Sequence, residues 1–228
     1  MKIGGLQRCS LIDYPGRICA ILFTQGCNFR CPYCHNPELV DPERYGPLLV
    51  DQVLPFLAKR RGMLDAVTVS GGEPTLQGDI EPFLQEIRDM GYLVKLDTNG
   101  SLPEVLERLL ANRMVDYVAM DIKAPLEKYG EIAGVEVDPR RIRDSIRVIL
   151  NAGVAHEFRT TVVRSRFEAS DLADIAGLLT GARLHVLQPF VPTRALDPHL
   201  LSEQPCPRDF LTAYLHSREG QRPPTIVR

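Results

Sequence analysis

An open α/β barrel with parallel strands, a partial (β/α)6 barrel, is the fold this sequence predicts, and three observations predict it. Short β-rich runs alternate with helical patterns along the chain, the order that right-handed βαβ crossovers and a parallel sheet require. There are too few such units for a closed eight-stranded barrel. The unusual motifs fall at or directly after strands, where open α/β folds gather their reactive groups. A doubly wound sheet is the competing arrangement.

The predicted strands are Arg17–Thr24, Asp65–Ser70, Tyr92–Asp97, Val115–Asp121, His156–Val163 and Arg183–Gln188. Helices are predicted between them over Leu49–Arg61, Gly78–Met90, Pro103–Asn112, Pro139–Asn151 and Glu168–Leu179, with a last one near Arg208–Ser217. Pro103 and Pro139 suit first-turn positions, where no backbone donor is needed. Met90-Gly91 and Asn151-Ala152-Gly153 read as stops, because glycine takes positive φ at no steric cost. Repeats, low complexity and long linkers are absent. One domain over 1–219 is expected, with the tail Gly220 to Arg228, carrying Pro223-Pro224, outside the barrel.

With 228 residues the chain can bury a sizeable core. Its 44% hydrophobic and 25% charged composition is that of a soluble globular protein. A net charge of −2 leaves no footprint for nucleic acid or an anionic membrane. The apolar run Ile18 to Phe23 is too short and too late for a secretory signal, and no stretch approaches the ~18 apolar residues of a membrane span. Of six cysteines three are clustered, while Cys9, Cys19 and Cys206 are scattered. That pattern favours metal binding over a disulfide framework and predicts a cytoplasmic protein.

The clustered thiols stand in Cys27-Asn28-Phe29-Arg30-Cys31-Pro32-Tyr33-Cys34, at spacing C-x3-C-x2-C, after the first predicted strand and the turn Gln25-Gly26. A [4Fe-4S] cube has four iron corners and thiolates as its usual ligands. Cys27, Cys31 and Cys34 can hold three corners, leaving one iron open to a substrate or cofactor. Three other readings stay open. Cys31 and Cys34 alone form a C-x-x-C redox pair, although Pro37 follows soon and Cys27 then has no role. Cys31 to His35 matches the C-x-x-C-H haem attachment string. Three cysteines with His35 make a Cys3His zinc set, although the adjacent Cys34 and His35 reach one tetrahedral ion with difficulty.

Four further groups lie at or near strand ends. In Gly71-Gly72-Glu73-Pro74 the glycines let backbone approach a ligand, and Glu73 offers a carboxylate to an ammonium group; a plain strand-to-helix turn is the alternative. Asp97, heading Asp97-Thr98-Asn99-Gly100, can accept from ribose hydroxyls or form an Asx turn. Asp121 and Lys123 lie two apart and share one strand face. There Lys123 can meet a carboxylate and Asp121 can join Asp97 around ribose or a small cation, unless the two form a buried structural ion pair. Arg159, in the fifth predicted strand, is a further anion contact or an exposed strand cation.

The cysteine spacing followed by Gly-Gly-Glu-Pro resembles the radical S-adenosylmethionine enzymes. The resemblance is specific over the first four predicted strands and loose over the whole length. It implies a partial barrel of the radical S-adenosylmethionine type. It also implies an open iron that chelates the amino and carboxylate groups of S-adenosylmethionine, with Gly71, Gly72 and Glu73 at the amino group and Tyr33, Asp97, Asp121, Lys123 and Arg159 as further cofactor contacts. Ser10-Leu11-Ile12-Asp13-Tyr14-Pro15-Gly16-Arg17, together with Tyr33-Cys34-His35-Asn36-Pro37, resembles the glycyl-radical-enzyme activases. Within them, the compact single-cluster form resembles the anaerobic ribonucleoside-triphosphate reductase activating proteins. The implied partners are that glycyl radical enzyme and a reductant such as flavodoxin. The chain departs at Val191, where some activases carry histidine. A small-molecule enzyme such as a 7-carboxy-7-deazaguanine synthase is the nearer alternative, and a zinc or redox-binding domain the distant one. The loops around Arg164–Glu168 and Phe190–Leu196 are expected to form the docking rim, with Arg164, Arg166 and Arg194 supplying charge.

Overall fold

The structure, a computed structural model, describes residues 1–40, 50–217 and 223–228. One eight-stranded sheet organises it, with strands in sequential order. These are β1 (Ile3–Tyr14), β2 (Arg17–Thr24), β3 (Ala66–Gly71), β4 (Leu93–Thr98), β5 (Tyr117–Asp121), β6 (Ala155–Val162), β7 (His185–Pro189) and β8 (Thr225–Val227). β1 and β2 are antiparallel; every ladder from β2 to β8 is parallel. A doubly wound sheet reverses its strand order at a switch point. Here the order never reverses, so the sheet curls as an open barrel.

The helices are α1 (Pro37–Val40), α2 (Val50–Lys59), α3 (Ile80–Asp89), α4 (Pro103–Ala111), α5 (Tyr129–Ala133), α6 (Pro139–Asn151), α7 (Ala169–Leu178) and α8 (Arg208–Ser217). The prolines predicted to open α4 and α6 do so. The predicted start of α2 at Leu49 lies outside the described residues.

The two-residue strand period divides the side chains cleanly. Val67, Val69, Val94, Leu96, Val118, Met120 and Phe158 belong to the large core that includes helical side chains. Cys19, Ala66, Tyr117 and Ala119 occupy the other face in a smaller cluster. Lys95, Asp97, Asp121 and Arg159 share the parity of that second face, which places them inside the curl.

Two strands depart from expectation. β1 forms a hairpin with β2 through Pro15-Gly16, Gly16 sitting at φ 71°. Its sequence hid it, because much of β1 is exposed and shows no alternation. The tail was expected outside the barrel, yet Thr225 to Val227 pair with His185 to Leu187. Backbone pairing carries that strand: His185 N–H also donates to Pro224 O at 2.8 Å.

Candidate active site

Because β2 to β6 run parallel, the segments following them emerge at one end of the sheet. The cysteine loop after β2 is held there by backbone contacts. Gly26 N–H donates to Leu39 O (2.7 Å), Gly72 N–H to Thr24 O (2.9 Å) and Glu73 N–H to Gly26 O (2.8 Å). A Cβ on Gly72 would stand 2.2 Å from Gly26 O, and one on Gly71, at φ 116°, 2.3 Å from Thr24 N. The missing Cβ at Gly71 admits the backbone of β2, and the one at Gly72 admits the backbone of the cysteine loop. The far side of that loop rests on α5, where Arg30 N–H donates to Ala133 O at 2.8 Å. Gly134, at φ 69°, leaves no room for a side chain, since its Cβ would lie 2.2 Å from Arg30 O.

A cavity of about 270 Å³ opens beside the loop. Ten of the eleven predicted site residues line it: Cys27, Cys31, Tyr33, Cys34, Gly71, Gly72, Asp97, Asp121, Lys123 and Arg159. Glu73, expected to offer its carboxylate to an ammonium group, is the exception and lies outside the lining. It is fully buried. One oxygen accepts from Thr75 N–H (3.1 Å) and from the hydroxyls of Thr75 and Thr98, the other from Asn99 N–H at 2.6 Å. Glu73 thus joins the end of β3 to the end of β4. Sequence reasoning missed Ser70, Thr98, Asn99, Thr161 and Gln188 in the lining. Strand parity could have found Ser70 and Thr161, which share the inward face.

The charged residues form a continuous chain. Asp97 meets Lys95 Nζ at 3.0 Å and Arg159 Nη1 at 3.2 Å. Arg159 Nε meets Asp121 Oδ1 at 2.8 Å, and Lys123 Nζ meets Asp121 Oδ2 at 2.9 Å. Burial pushes both carboxyls up, but Arg159 and the lysines outweigh it and hold Asp97 and Asp121 below the ordinary carboxylate range. Two of the cations, Lys123 and Arg159, and both carboxylates line the cavity, while Lys95 supports Asp97 from behind the lining. The pairing and cavity-lining readings of Asp121 and Lys123 therefore hold together.

Burial pushes the Cys27 thiol up to about 12, against the Phe29 N–H that favours its thiolate, and it also raises Cys31. Iron must displace those protons to bind. The site's chemistry fits a cluster and a polar cofactor: three thiols of one loop face one cavity, and the buried Tyr33 hydroxyl has no hydrogen-bond partner of good geometry. Among the described residues no three His, Cys, Asp or Glu are grouped around a single metal ion. Thiolates bound to separate corners of a cube need not converge on one point.

Of the remaining cysteines, Cys19 is buried in β2 and Cys206 is buried, while Cys9 is exposed; all are free. The expected docking rim changes in detail. Arg194 pairs with Glu38 at 2.7 Å, and Arg164 lies over the Phe210 ring at 4.4 Å. His35 Nε2 lies 3.0 Å from Val191 O. No helix among the described residues is long and apolar enough to cross a membrane.

Residues 21–177 match the model of the radical SAM superfamily. A Methanocaldococcus jannaschii protein named for glycyl-radical enzyme activation is 35% identical over 91% of this chain and 87% of its own. The 7-carboxy-7-deazaguanine synthase of Methanopyrus kandleri is 26% identical over 73% of this chain and 84% of its own. Streptococcus suis SuiB bound to S-adenosylmethionine shares the fold, with a TM-score of 0.66 and 14% identity over 91% of this chain. This chain spans about half of SuiB's length, 51%. The family match, the open sheet and the M. jannaschii relative lead to one assignment: the chain is an enzyme of the radical SAM superfamily, in the family of glycyl-radical enzyme activases, with a [4Fe-4S] cluster and S-adenosylmethionine as cofactors.

Proposed function

We propose that this protein installs a glycyl radical on a partner enzyme, and that the partner is anaerobic ribonucleoside-triphosphate reductase. The observation that carries the reading is the convergence of Cys27, Cys31 and Cys34 with Gly71, Gly72, Asp97, Asp121, Lys123 and Arg159 on one cavity. Asp-Tyr-Pro-Gly at positions 13–16 and Tyr-Cys-His-Asn-Pro at 33–37 support the choice of partner.

Each residue has a physical role in this reading. Cys27, Cys31 and Cys34 would hold the cluster through three thiolates, one fewer than its four irons, so that it could also take the methionine end of S-adenosylmethionine. Lys123 and Arg159, now paired with Asp121 and Asp97, could exchange part of that pairing for the carboxylate of the cofactor. Asp97 and Asp121 accept from the ammonium and ribose hydroxyls, and the Tyr33 hydroxyl gains a partner. Glu73 acts through the backbone it fixes. When bound, the cluster and S-adenosylmethionine supply the electron and the carbon-centred hydrogen acceptor that the reaction needs. The protein's part is to orient them, exclude water and admit an extended glycine loop. Glycine suits the reaction because its flanking amides stabilise a Cα radical that no side chain forces out of plane. The electron comes from flavodoxin or a similar donor.

The test is anaerobic electron paramagnetic resonance on the reconstituted protein with the candidate reductase, dithionite or flavodoxin, and S-adenosylmethionine. A glycyl-radical doublet should appear only when all components are present. Turnover of a deazapurine precursor, with no doublet on any partner, would overturn the reading in favour of a small-molecule enzyme.

A further inference from the structure

Cys27 differs from the other two site cysteines in what surrounds its sulfur. Its Sγ accepts from Phe29 N–H at 3.4 Å and from the Asn99 side-chain amide at 3.9 Å. The amide cannot be turned around without loss. Asn99 Oδ1 accepts from Ser101 N–H at 2.9 Å, so Nδ2 must occupy the opposite end. One Nδ2 hydrogen is taken by Asn28 Oδ1 at 2.9 Å, and the second is left for sulfur. Asn28 Nδ2 then closes the ring on Ser101 Oγ at 2.9 Å.

The segment carrying this amide is fixed from three sides. Asn99 N–H is held by Glu73, Gly100 O accepts from the buried Ser145 hydroxyl at 2.6 Å, and Ser101 O accepts from Arg141 Nε at 2.6 Å. Asn99 itself is 5% exposed. A short segment held this firmly, with one donor aimed at a ligand sulfur, does more than complete a turn. Hydrogen bonds to ligand sulfurs disperse negative charge and stabilise the reduced form of an iron–sulfur centre.

We propose that Asn99 is a positioning residue that hydrogen-bonds the Cys27 thiolate and makes the cluster easier to reduce. The inference rests on Cys27, Cys31 and Cys34 holding the cluster. Reduction is a one-electron step, the electron coming from an external low-potential donor, so the effect appears in a midpoint potential without S-adenosylmethionine or a partner enzyme.

The experiment is an anaerobic redox titration of the reconstituted full chain, followed by electron paramagnetic resonance, for the parent, Asn99→Ala, Asn99→Asp and Ser145→Ala. Asn99→Ala should make the reduction equilibrium about tenfold less favourable, which for one electron is about 59 mV. Asn99→Asp replaces the donor by an acceptor with negative charge and should shift the potential further the same way. Ser145→Ala, which loosens the segment but keeps the donor, should move it less than either. Parent-like potentials in both Asn99 variants at normal iron content would overturn the role of Asn99 alone. Failure of both variants to load iron beside a loaded parent would also overturn it, since site assembly would then suffice. A parent chain that holds no cluster would overturn the cysteine assignment as well.

Discussion

Between β2 and α1 the chain is held by backbone: Gly26 to Leu39, Gly72 to Thr24 and Glu73 to Gly26. Across the cavity, at β4 to β6, the site is held by side-chain charge, running from Lys95 through Asp97, Arg159 and Asp121 to Lys123. The two constructions suit what each wall must do. A cluster loop must keep three sulfurs in fixed relation, and backbone contacts allow little adjustment. A wall that receives a charged cofactor can exchange internal ion pairs for contacts to it. Geometry therefore governs the first wall and electrostatics the second.

The largest expected effect breaks the cluster wall directly. Cys31→Ala should abolish [4Fe-4S] loading and S-adenosylmethionine cleavage, as should Ala at Cys27 or Cys34, whereas Cys206→Ala should leave both intact. Iron and sulfide content after anaerobic reconstitution checks this, and a fully active Cys31→Ala protein would refute the assignment.

Breaking the charged wall comes next. Arg159→Met leaves two carboxylates facing a neutral side chain, and removing one partner of a buried pair costs about 3–5 kcal/mol. The variant should also change the pH response. In the parent, Asp97 and Asp121 have folded values held below the ordinary 3.8. Their contribution is present above that value and is lost as pH falls through the folded values. Without Arg159 burial counts for more, so the acid-side loss should flatten. Urea unfolding of the iron-free protein from neutral pH to about pH 3 measures both effects. A parental acid slope in the variant would count against the ionic account.

Gly72→Ala and Gly134→Ala sharpen the comparison from the cluster side. Each added Cβ meets a backbone oxygen at 2.2 Å. Overpacking of this kind costs about 1–3 kcal/mol. Because the loop must move, cluster loading should fall as well. Gly153→Ala is the control for Gly134→Ala, for it shares a positive φ, 72° against 69°, but meets nothing within 4 Å. Equal loading in all three would show that backbone approach is unimportant.

The smallest effects belong to the rim. Arg194→Glu sets a like charge against Glu38 and should cost about the 0.2–1 kcal/mol of an exposed pair. Arg166→Glu should slow glycyl-radical formation at low salt while leaving uncoupled S-adenosylmethionine cleavage unchanged, since rim charges act mainly on association. Activation rates that ignore both salt and the Arg166 reversal would remove this rim from the docking surface.

Most of the architecture was legible in local pattern. The short β-rich runs predicted β2 to β7 within a few residues, and Pro103 and Pro139 located two helix starts. β1 and β8 were not legible, because neither shows an apolar alternation; both exist through backbone pairing to a strand already in place. Within the site, local spacing sufficed for Cys27, Cys31 and Cys34; parity joined only Asp121 to Lys123, which lies past the end of β5, and the ladder brings Asp97 and Arg159 beside them. The partners of Arg194 and Arg164 were not foreseeable, since each arises where separate connecting segments meet.

The sequence by itself determined the order of the elements, the end of the sheet at which chemistry gathers, and the thiols available for iron. These follow from side-chain period and chain direction, which are local. Only the tertiary structure decided that Glu73 turns away from the cavity, that the glycines admit backbone, and that Asn99 reaches Asn28 across 71 residues to face Cys27. Those outcomes depend on which strand ends lie side by side and on how closely two loops approach, and strand register sets both.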